Sequence, residues 1–413
     1  MKFDSIIIGG GLSGLVAGIR LARERRKVAV VSNGQSALHF CSGSFGLLGY
    51  ADGQAVEHPL DAMRALDVSH PYRLIGLERA EALADSVPAF FSEASITLKG
   101  SCRENHYQFT PLGILKPAWL TMGDFMSCGA AGPSFKRCVI VNFKAYLDFY
   151  PHYLAEGLQR LGISCSIAEV EVDAVERLRH SSGDMRASSI ARQLRGDSLE
   201  QFAMQINRVC SHADAVLIPA VIGFDSEEQL AALRRMVTVP LYCVPVTPMS
   251  VSGLRAQLLL RRHFERLGGT YLLGDNAVAA SFGADGSLQS IETAGLGSDA
   301  LEADTFVLAT GGIFSRGIVA EPHRIYEPLL GVDVDATDDR DRWYRPGFFE
   351  KQPYMSFGAG VDNVFHPSRQ GRVCPNVYAA GAVLGAYDGL SEGSGSGVAI
   401  LTALHVADLI LNS

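Results

Sequence analysis

A glycine-rich hexapeptide near the start of the chain is the feature that most restricts its possible fold. Residues 9–14 read GGGLSG and match the pattern GxGxxG. An apolar run over 4–8 precedes the motif, helical spacing of apolar residues over 12–26 follows it, and a second apolar run occupies 27–31. Strand, glycine turn, helix and strand in this order form a βαβ unit, so the sequence predicts an α/β fold with a parallel sheet.

The glycines of the motif predict a phosphate site. In a βαβ unit the first glycine allows a tight turn, the second lets a phosphate approach the backbone, and the third packs the helix against the strand. The helix that follows directs its positive N-terminus at the same point. A glycine loop with only a structural role is the alternative interpretation. The residues expected to contact the phosphate are Gly9, Gly10, Gly11, Ser13 and Gly14.

The acid that usually binds an adenosine ribose is missing. In dinucleotide-binding folds an Asp or Glu stands at the end of the second strand, about 20 residues after the motif. Here that strand ends at Ser32 and Asn33, and apart from Glu24 in the preceding helix no acidic residue lies within several positions. Ser32 and Asn33 can hydrogen-bond a ribose, but more weakly than a carboxylate. This pattern favours a mononucleotide over an adenine dinucleotide.

Composition and charge argue against several other functions. The 413 residues carry a formal charge of −8, from 36 basic and 44 acidic side chains, and contain no basic tract with interleaved aromatics, so nucleic-acid binding is not expected. The eight cysteines form no CxxC pair, which argues against a zinc site or an iron–sulfur cluster, and no metal site is expected. No apolar run reaches the ~20 residues that span a bilayer. The N-terminus does not have the pattern of a secretory signal, so we expect a protein of a reducing compartment without a signal peptide or transmembrane segment.

Later segments predict a discontinuous nucleotide-binding domain. Apolar strands at 305–309 and 377–380 both run into glycines, and a last helix is expected over 397–411. The expected bounds are 1–50, about 245–315 and 371–413 for this domain, and about 51–244 and 316–370 for a second domain over its ligand face. Further expected elements are helices at 79–93, 144–161 and 227–236 and a polar surface segment at 180–198.

The chain resembles one known family over essentially its whole length. The loop 33–48, NGQSALHFCSGSFGLL, and the tail 380–388, AGAVLGAYD, carry the most specific part of the likeness, and the runs 217–220 (LIPA) and 327–333 (EPLLGVD) agree with it. These segments resemble the B-type subunits of anaerobic glycerol-3-phosphate dehydrogenase. The resemblance implies a Rossmann-like FAD/NAD(P)-binding flavoprotein fold, with a three-layer parallel sheet and a second, inserted α+β domain.

That resemblance also implies a cofactor, partners and a reaction. The expected cofactor is FMN, with FAD as the alternative. The expected partners are a second flavoprotein (A-type) subunit and an iron–sulfur, membrane-anchoring (C-type) subunit, which would hold the chain peripherally at the cytoplasmic side of the inner membrane. The implied reaction is that of a quinone-linked glycerol-3-phosphate dehydrogenase. It oxidises sn-glycerol 3-phosphate to dihydroxyacetone phosphate and passes electrons to quinone when fumarate or nitrate is the terminal acceptor.

The same resemblance places further residues at the flavin. Residues 305–312 resemble the second flavoprotein signature and 376–388 the third, in which Ala382 stands where an Asp normally binds the ribityl chain. The start of the last helix is expected to face the flavin N1 and C2 oxygen, where a helix N-terminus stabilises negative charge. The residues expected at the flavin in this way are Ser42, Gly43, Thr310, Gly311, Gly312, Gly381, Ala382, Gly395, Ser396, Gly397 and Val398.

The sequence does not decide which residues act on the substrate. Oxidation of a secondary alcohol needs a base for the hydroxyl proton, and a substrate phosphate favours Arg or Lys. The candidates are His39, Arg316, His323, Arg324, His366 and Arg369. An alternative is that the partner's flavin oxidises the substrate and this chain relays electrons. Two more are a self-contained flavoenzyme for another hydroxy or amino compound, and a structural subunit that has lost its flavin.

Overall fold

The computed structural model describes residues 1–180, 185–297 and 299–413. The chain divides into two compact units. Unit 1 comprises Met1–Ala37, Gly46–Phe90 and Leu260–Ser413, and unit 2 comprises Leu38–Phe45 and Phe91–Leu259.

The helices and strands of the described residues are numbered in chain order. The α-helices are α1 Leu12–Arg23, α2 Pro59–Ala62, α3 Pro71–Ile75, α4 Leu77–Glu93, α5 Pro151–Arg160, α6 Asp173–His180, α7 Ala187–Gln193, α8 Asp197–Val209, α9 Glu228–Met236, α10 Val251–Arg266 and α11 Gly395–Asn412. The strands are β1 Lys2–Ile8, β2 Val28–Ser32, β3 Ser44–Phe45, β4 Tyr50–Ala51, β5 Gln54–Ala55, β6 Leu98–Gly100, β7 His106–Phe109, β8 Leu115–Ala118, β9 Leu120–Met122, β10 Arg137–Phe143, β11 Ser164–Val170, β12 Ala215–Pro219, β13 Leu241–Val244, β14 Thr270–Leu273, β15 Ala277–Phe282, β16 Leu288–Thr293, β17 Leu301–Leu308, β18 Val319–Glu321, β19 Arg324–Tyr326, β20 Val334–Asp335, β21 Gly358–Ala359, β22 Ser368–Arg369, β23 Arg372–Val373 and β24 Val377–Ala379.

A seven-stranded sheet forms the centre of unit 1. The strands β14, β2, β1, β17 and β24 pair in parallel in that order, while β16 and β15 continue the sheet in antiparallel fashion beside the first half of β17. The parallel strands are continuous apolar runs because both faces of such a sheet are covered, and Ile6, Ile7, Val28 and Val30 have no exposed surface. The predicted α/β fold with a parallel sheet is confirmed.

Helix α11 packs against α1, and α1 in turn contacts β1 and β2. Of the helices that the structure describes, only α11 is long and apolar enough to cross a bilayer, but 61% of its residues are buried inside the protein. Its apolar character therefore follows from a central position in unit 1. At its far end, Asp408 accepts a hydrogen bond from Arg20 at 2.8 Å and pairs with Arg79, which joins α11 to α1 and α4.

Unit 2 contains a second, separate parallel sheet. Its four strands lie in the order β11-β10-β12-β13, which places the first strand of the sheet between the second and the third. The segments that link these strands along the chain contain α5, then α6 to α8, then α9, as parallel strands require. The unit also contains a three-stranded antiparallel sheet, β3-β9-β6, and a hairpin of β7 and β8.

The structure corrects two elements that were expected from the sequence. The helix predicted over 144–161 begins at Pro151, because Ala145 turns the chain with φ 61° after β10 and a proline is favoured in the first helical turn. The segment 180–198 is not a polar surface stretch, since it contains α7, and Ile190 and Leu194 are fully buried. Residues 181–184 of that segment lie outside the described residues.

The bounds of the units differ from the predicted domain bounds at four segments. Residues 51–90 and 316–370 lie in unit 1, and residues 38–45 and about 245–259 lie in unit 2. The first segment contains α3, which packs against α11. The second is tied to β24 through the Phe365 carbonyl, which accepts the Ala379 N–H at 2.9 Å. The small hairpins of this segment have no strong hydrophobic period, so the sequence did not indicate which core they would join.

Candidate functional site

Three strand ends of unit 1 lie side by side at one edge of the sheet. Ile8 of β1 is in register with Leu308 of β17, which is in register with Ala379 of β24. The ladder continues past the strands, since Ala309 donates its N–H to the Ile8 carbonyl at 2.8 Å and Ala380 donates to the Leu308 carbonyl at 3.0 Å. The glycine segments that follow these strands therefore begin at the same level of the sheet. Ligands of open α/β sheets bind at this carboxyl edge.

Three glycines of the first and last of these segments have no room for a side chain. Gly9 has φ +120°, and a methyl group added to it would lie 2.1 Å from the Ala309 carbonyl oxygen. A methyl on Gly14 would lie 1.8 Å from the Gly9 oxygen, and one on Gly381, with φ +78°, would lie 2.0 Å from Ser13 Oγ. Glycine is therefore required at these positions for the loops and α1 to pack together.

Gly11 differs from its neighbours because the space beside it is open. A methyl on Gly11 would meet only one atom within 4 Å, the Cβ of Ser36 at 3.6 Å. Gly11 is the N-cap of α1 and supplies no side-chain bond to the first turn. The first N–H groups of a helix need an acceptor, so this open space beside the helix start fits a phosphate. Thr310 follows Ala309 at the same edge of the sheet. Its Oγ1 atom is buried and has no hydrogen-bond partner among the described residues.

The back of the glycine loop is closed by a residue that was not predicted from the sequence. Tyr271 of β14 donates its hydroxyl to the Gly10 carbonyl at 3.0 Å. A methyl on Gly10 would lie 2.2 Å from that hydroxyl oxygen and 2.3 Å from Ser32 Oγ. No sequence motif marks Tyr271, whose position follows from the pairing of β14 with β2.

Ser32 and Asn33 lie as predicted at the end of β2, with Ser32 buried and Asn33 exposed. A carboxylate does stand near them in space, because the Asp275 N–H donates to the Ser32 carbonyl at 3.1 Å. That carboxylate is already used, since it accepts from Thr293 Oγ1 at 2.6 Å and from the Gly295 N–H at 2.7 Å. Asp275 therefore does not replace the missing ribose acid.

The second and third signatures approach each other. A methyl on Gly312 would lie 2.8 Å from the Ala382 carbonyl oxygen, and Gly311 has φ +85°. Ala382 itself is exposed, although Gly381 before it and Val383 after it are buried. The side chain at position 382 therefore projects from the edge where the strand ends meet. This is the position at which a ribityl ligand was expected from the sequence.

The start of α11 is anchored to the last residues of the loop 33–48. Gly46 donates its N–H to Ser396 Oγ at 2.8 Å, and its carbonyl accepts the Gly397 N–H at 2.8 Å. A methyl on Gly397 would lie 2.3 Å from the Tyr72 hydroxyl, which donates to the Leu47 carbonyl at 2.7 Å. Two of the groups predicted to face the flavin are thus engaged within the protein, and Gly397 is required for packing.

A buried polar network lies beside this helix start, and no sequence motif indicated it. Ser394 donates to Glu392 Oε2 at 2.8 Å, and His70 Nε2 lies 3.3 Å from the same oxygen. Burial alone would raise the pKa of Glu392, but the hydrogen bonds from His70 and Ser394 hold that pKa below its usual value. The carboxylate is therefore charged and half-buried at the N-terminus of α11.

Three of the predicted site residues belong to unit 2. His39 lies in a short 3-10 turn and is buried. Burial lowers its pKa, against an opposing hydrogen bond from Gln257, and its Nδ1 has no partner in the described part of the chain. Gly43 has φ +81°, and a methyl there would lie 2.1 Å from the Phe125 ring. Ser42 is held by two side chains of the β7–β8 hairpin.

The other candidates for substrate chemistry belong to unit 1 and mostly have local partners. Arg324 is exposed and pairs at 2.9 Å with a glutamate of its own hairpin. The Nδ1 of His366 and the Nε of Arg369 each bond a backbone carbonyl, at 2.7 Å and 3.0 Å. Arg316 and His323 are exposed. Arg324, His366 and Arg369 therefore each have a partner within unit 1, and their role at the substrate stays a prediction.

Comparison with known proteins identifies the family. The family model described as FAD binding domain matches residues 4–398. A protein of Yersinia pestis, named as the B subunit of anaerobic glycerol-3-phosphate dehydrogenase, is 39% identical over 419 residues, covering 100% of this chain and 99% of the relative. One of the same name from Actinobacillus pleuropneumoniae is 34% identical over 425 residues, with 99% of each chain covered.

The chain belongs to the family of B-type subunits of anaerobic glycerol-3-phosphate dehydrogenase. As a member of this family and of the FAD-binding domain family it has a flavin cofactor, and the open space beside Gly11 and the unpartnered Thr310 hydroxyl fit such a group. A solved 3-ketosteroid Δ1-dehydrogenase from Sterolibacterium denitrificans matches 100% of both chains at 10% identity with a TM-score of 0.43, which is too low to inform the site.

Proposed function

We propose that this member of the B-type family is a flavin-dependent subunit of an anaerobic respiratory glycerol-3-phosphate dehydrogenase, which oxidises sn-glycerol 3-phosphate to dihydroxyacetone phosphate. The observation that carries the proposal is the edge of the unit 1 sheet, where α1 begins beside the open space at Gly11. Full-length identity of 34% to 39% with relatives of that name supports the substrate.

In this proposal different residues of unit 1 contact the phosphate and the ribityl chain of the flavin. Gly10 and Gly11 direct backbone N–H groups at the phosphate, while Gly9 shapes the turn and donates its own N–H to the Val31 carbonyl at 2.9 Å. The N-terminus of α1 stabilises the phosphate charge. Thr310 and the exposed position 382 lie along the ribityl chain. When bound, the flavin supplies the acceptor for the two electrons and the hydrogen that leave the alcohol carbon.

The identity of the flavin is part of the proposal, and two observations point in different directions. The description of the matching family names FAD. The end of β2 offers Ser32 and Asn33 but no free carboxylate, since Asp275 is engaged by its own loop. An adenosine ribose would lose its usual charge-assisted hydrogen bond here, so we propose FMN, with FAD as the alternative.

The name of the relatives supports a complex with other subunits, since a protein named as one subunit of a dehydrogenase has other subunits as partners. We propose an A-type flavoprotein subunit and a C-type iron–sulfur subunit that carries electrons to quinone, with the complex at the cytoplasmic side of the inner membrane. The described residues contain no group of three or more His, Cys, Asp or Glu side chains able to hold a metal, so in this proposal the electrons leave through another chain.

The experiment begins with the purified chain. Absorbance at flavin wavelengths, heat release and chromatography identify the cofactor, and reduction of a soluble dye by sn-glycerol 3-phosphate tests the reaction, first with the chain alone and then with its partners. We expect a yellow protein that releases FMN and that needs sn-glycerol 3-phosphate for dye reduction in the complex. Released FAD would overturn the FMN assignment. A folded protein without flavin would overturn the proposal in favour of a structural role in the complex.

A further inference from the structure

Two polar side chains of unit 2 lie directly opposite each other on the β7–β8 hairpin. Gln108 of β7 is the register partner of Lys116 on β8. Directly opposed residues in an antiparallel pair project from the same face with their Cβ atoms about 5 Å apart. An amide and an ammonium group are thus presented together, on a hairpin for which no role was predicted from the sequence.

Both side chains hold the same residue of the loop 33–48. Lys116 Nζ donates to Ser42 Oγ at 2.8 Å, and Gln108 Nε2 donates to the Ser42 carbonyl at 3.2 Å. Ser42 Oγ is also 3.1 Å from Ser44 Oγ. Ser42, one of the residues predicted at the flavin, is therefore fixed from two sides by the hairpin.

In the part of the chain that the structure describes, the ammonium group of Lys116 forms no ion pair with a carboxylate. Among the described residues its one hydrogen bond is to the neutral Ser42 hydroxyl, so two of its three donors are unused. Burial lowers the pKa of Lys116, and only the Cys41 thiol acts in the opposite direction. Burial also raises the pKa of Cys41, so that thiol is not a counter-ion at neutral pH. A half-buried cation of this kind is stabilised by an anionic ligand.

Gln108 provides a second unfilled bond at the same place. The residue is only 1% exposed, and while its Nε2 holds Ser42, its Oε1 has no partner in the described part of the chain. A buried carbonyl oxygen without a donor is unfavourable, so the group fits a ligand that brings a hydroxyl. The neighbouring His106 is not free for this purpose, because its Nε2 lies 2.6 Å from Thr121 Oγ1.

From this geometry we propose that Lys116 and Ser42 bind the phosphate of the substrate and that Gln108 Oε1 accepts a hydrogen bond from one of its hydroxyl groups. The ligand that satisfies both groups is a small hydroxylated phosphate ester, in which anion and hydroxyl lie a few bonds apart. The inference rests on the proposed function for the identity of the ester. The anion site itself rests only on unit 2.

The test compares variants of the flavin-loaded chain by calorimetric titration with sn-glycerol 3-phosphate and, separately, with inorganic phosphate. We expect Lys116→Met to weaken both ligands roughly 10- to 100-fold, as loss of a charge-assisted hydrogen bond predicts, with flavin content unchanged. Lys116→Arg should recover part of the affinity. Lys136→Met, at an exposed lysine of the same unit, is the matched control and should bind as the unchanged protein does.

The dependence on pH separates an anion site from a structural lysine. A bound anion raises the pKa of Lys116, so binding takes up a proton, and affinity should fall as the pH rises through the pKa of the free state, which burial places below that of an ordinary lysine. Between about pH 8 and the onset of alkaline unfolding, Lys116→Arg should show no such fall, because its guanidinium keeps its proton.

The outcomes distinguish this inference from the proposed function. If inorganic phosphate binds in a Lys116-dependent manner but sn-glycerol 3-phosphate neither binds nor reduces dye, the anion site stands and the proposed substrate is wrong. If sn-glycerol 3-phosphate is oxidised and Lys116→Met binds it as tightly as the unchanged protein, the inference is wrong and the function stands. Absence of binding of either anion to the unchanged protein also overturns the inference.

Discussion

At the scale of single residues, the glycines of the N-terminal motif meet different surroundings. A side chain at Gly14 would overlap the backbone of Gly9, whereas one at Gly11 would enter open space. Gly11 also has φ −81°, which any residue can adopt. Gly14 therefore serves packing, and the open space beside Gly11 fits the approach of the proposed ligand.

This difference predicts opposite results for two alanine substitutions. Gly14→Ala should lower the free energy of unfolding by about 1–3 kcal/mol, because the added methyl must displace backbone at 1.8 Å. Gly11→Ala should leave the unfolding free energy nearly unchanged but weaken flavin binding more than about tenfold. Urea denaturation of the flavin-free protein and fluorescence titration with FMN and FAD measure the two effects. Unaltered flavin affinity in folded Gly11→Ala would contradict the phosphate site.

A second prediction concerns Ala382, whose exposed side chain stands where we propose that the ribityl chain is bound. Ala382→Asp should strengthen flavin binding roughly tenfold, since it adds an acceptor for a charge-assisted hydrogen bond. Ala382→Asn keeps the shape without the charge and should give a smaller gain. If neither variant alters the dissociation constant in fluorescence titration, the ribityl chain lies elsewhere.

At the scale of elements, register decides which motifs meet. The motif after β1 and the glycines after β17 and β24 are about 300 and 370 residues apart in sequence, yet parallel pairing brings all three to one edge. In unit 2, the first part of α10 holds two loops together. Arg255 on α10 is fully buried, pairs with Asp124 after β9, and donates to the Gly223 carbonyl at 2.8 Å after β12.

Loss of one partner of this buried pair should destabilise unit 2 severely. Arg255→Met leaves the Asp124 carboxylate buried without its cation, and we expect a loss of about 3–5 kcal/mol in the free energy of unfolding. Arg255→Met combined with Asp124→Leu should cost less than Arg255→Met alone. Trp119 is buried in unit 2, so its fluorescence in a Trp343→Phe background reports the transition in urea. An equal loss in the single and double variants would argue against a charge effect.

At the scale of the whole molecule, bound flavin should stabilise unit 1 more than unit 2. The glycine segments at the sheet edge all belong to unit 1. Removal of flavin should therefore lower the melting temperature by on the order of 5 °C, because a ligand at 100 times its dissociation constant contributes about 2.7 kcal/mol. Hydrogen exchange should quicken most at β1, α1 and the start of α11. Uniform exchange in both forms would contradict this location of the site.

The sequence predicted correctly those elements whose structure depends only on residues close together in the chain. The βαβ unit, its GxGxxG motif, and helices α4 and α9 appear close to the predicted positions, since each depends on neighbours in the chain. The expected start of the helix at 144 and the surface segment 180–198 were wrong because a positive φ at Ala145 and the burial of Ile190 are not encoded in local periodicity.

The sequence alone was enough for the class of fold, because glycine spacing beside apolar runs restricts the backbone directly, and for the family, through specific segments such as 33–48 and 380–388. It also predicts the phosphate loop. Which distant groups meet depends on the tertiary structure. It placed Tyr271 behind Gly10 and engaged the Asp275 carboxylate near Ser32. It also set Lys116 opposite Gln108 and against Ser42. These contacts depend on strand order and register, which no local pattern specifies.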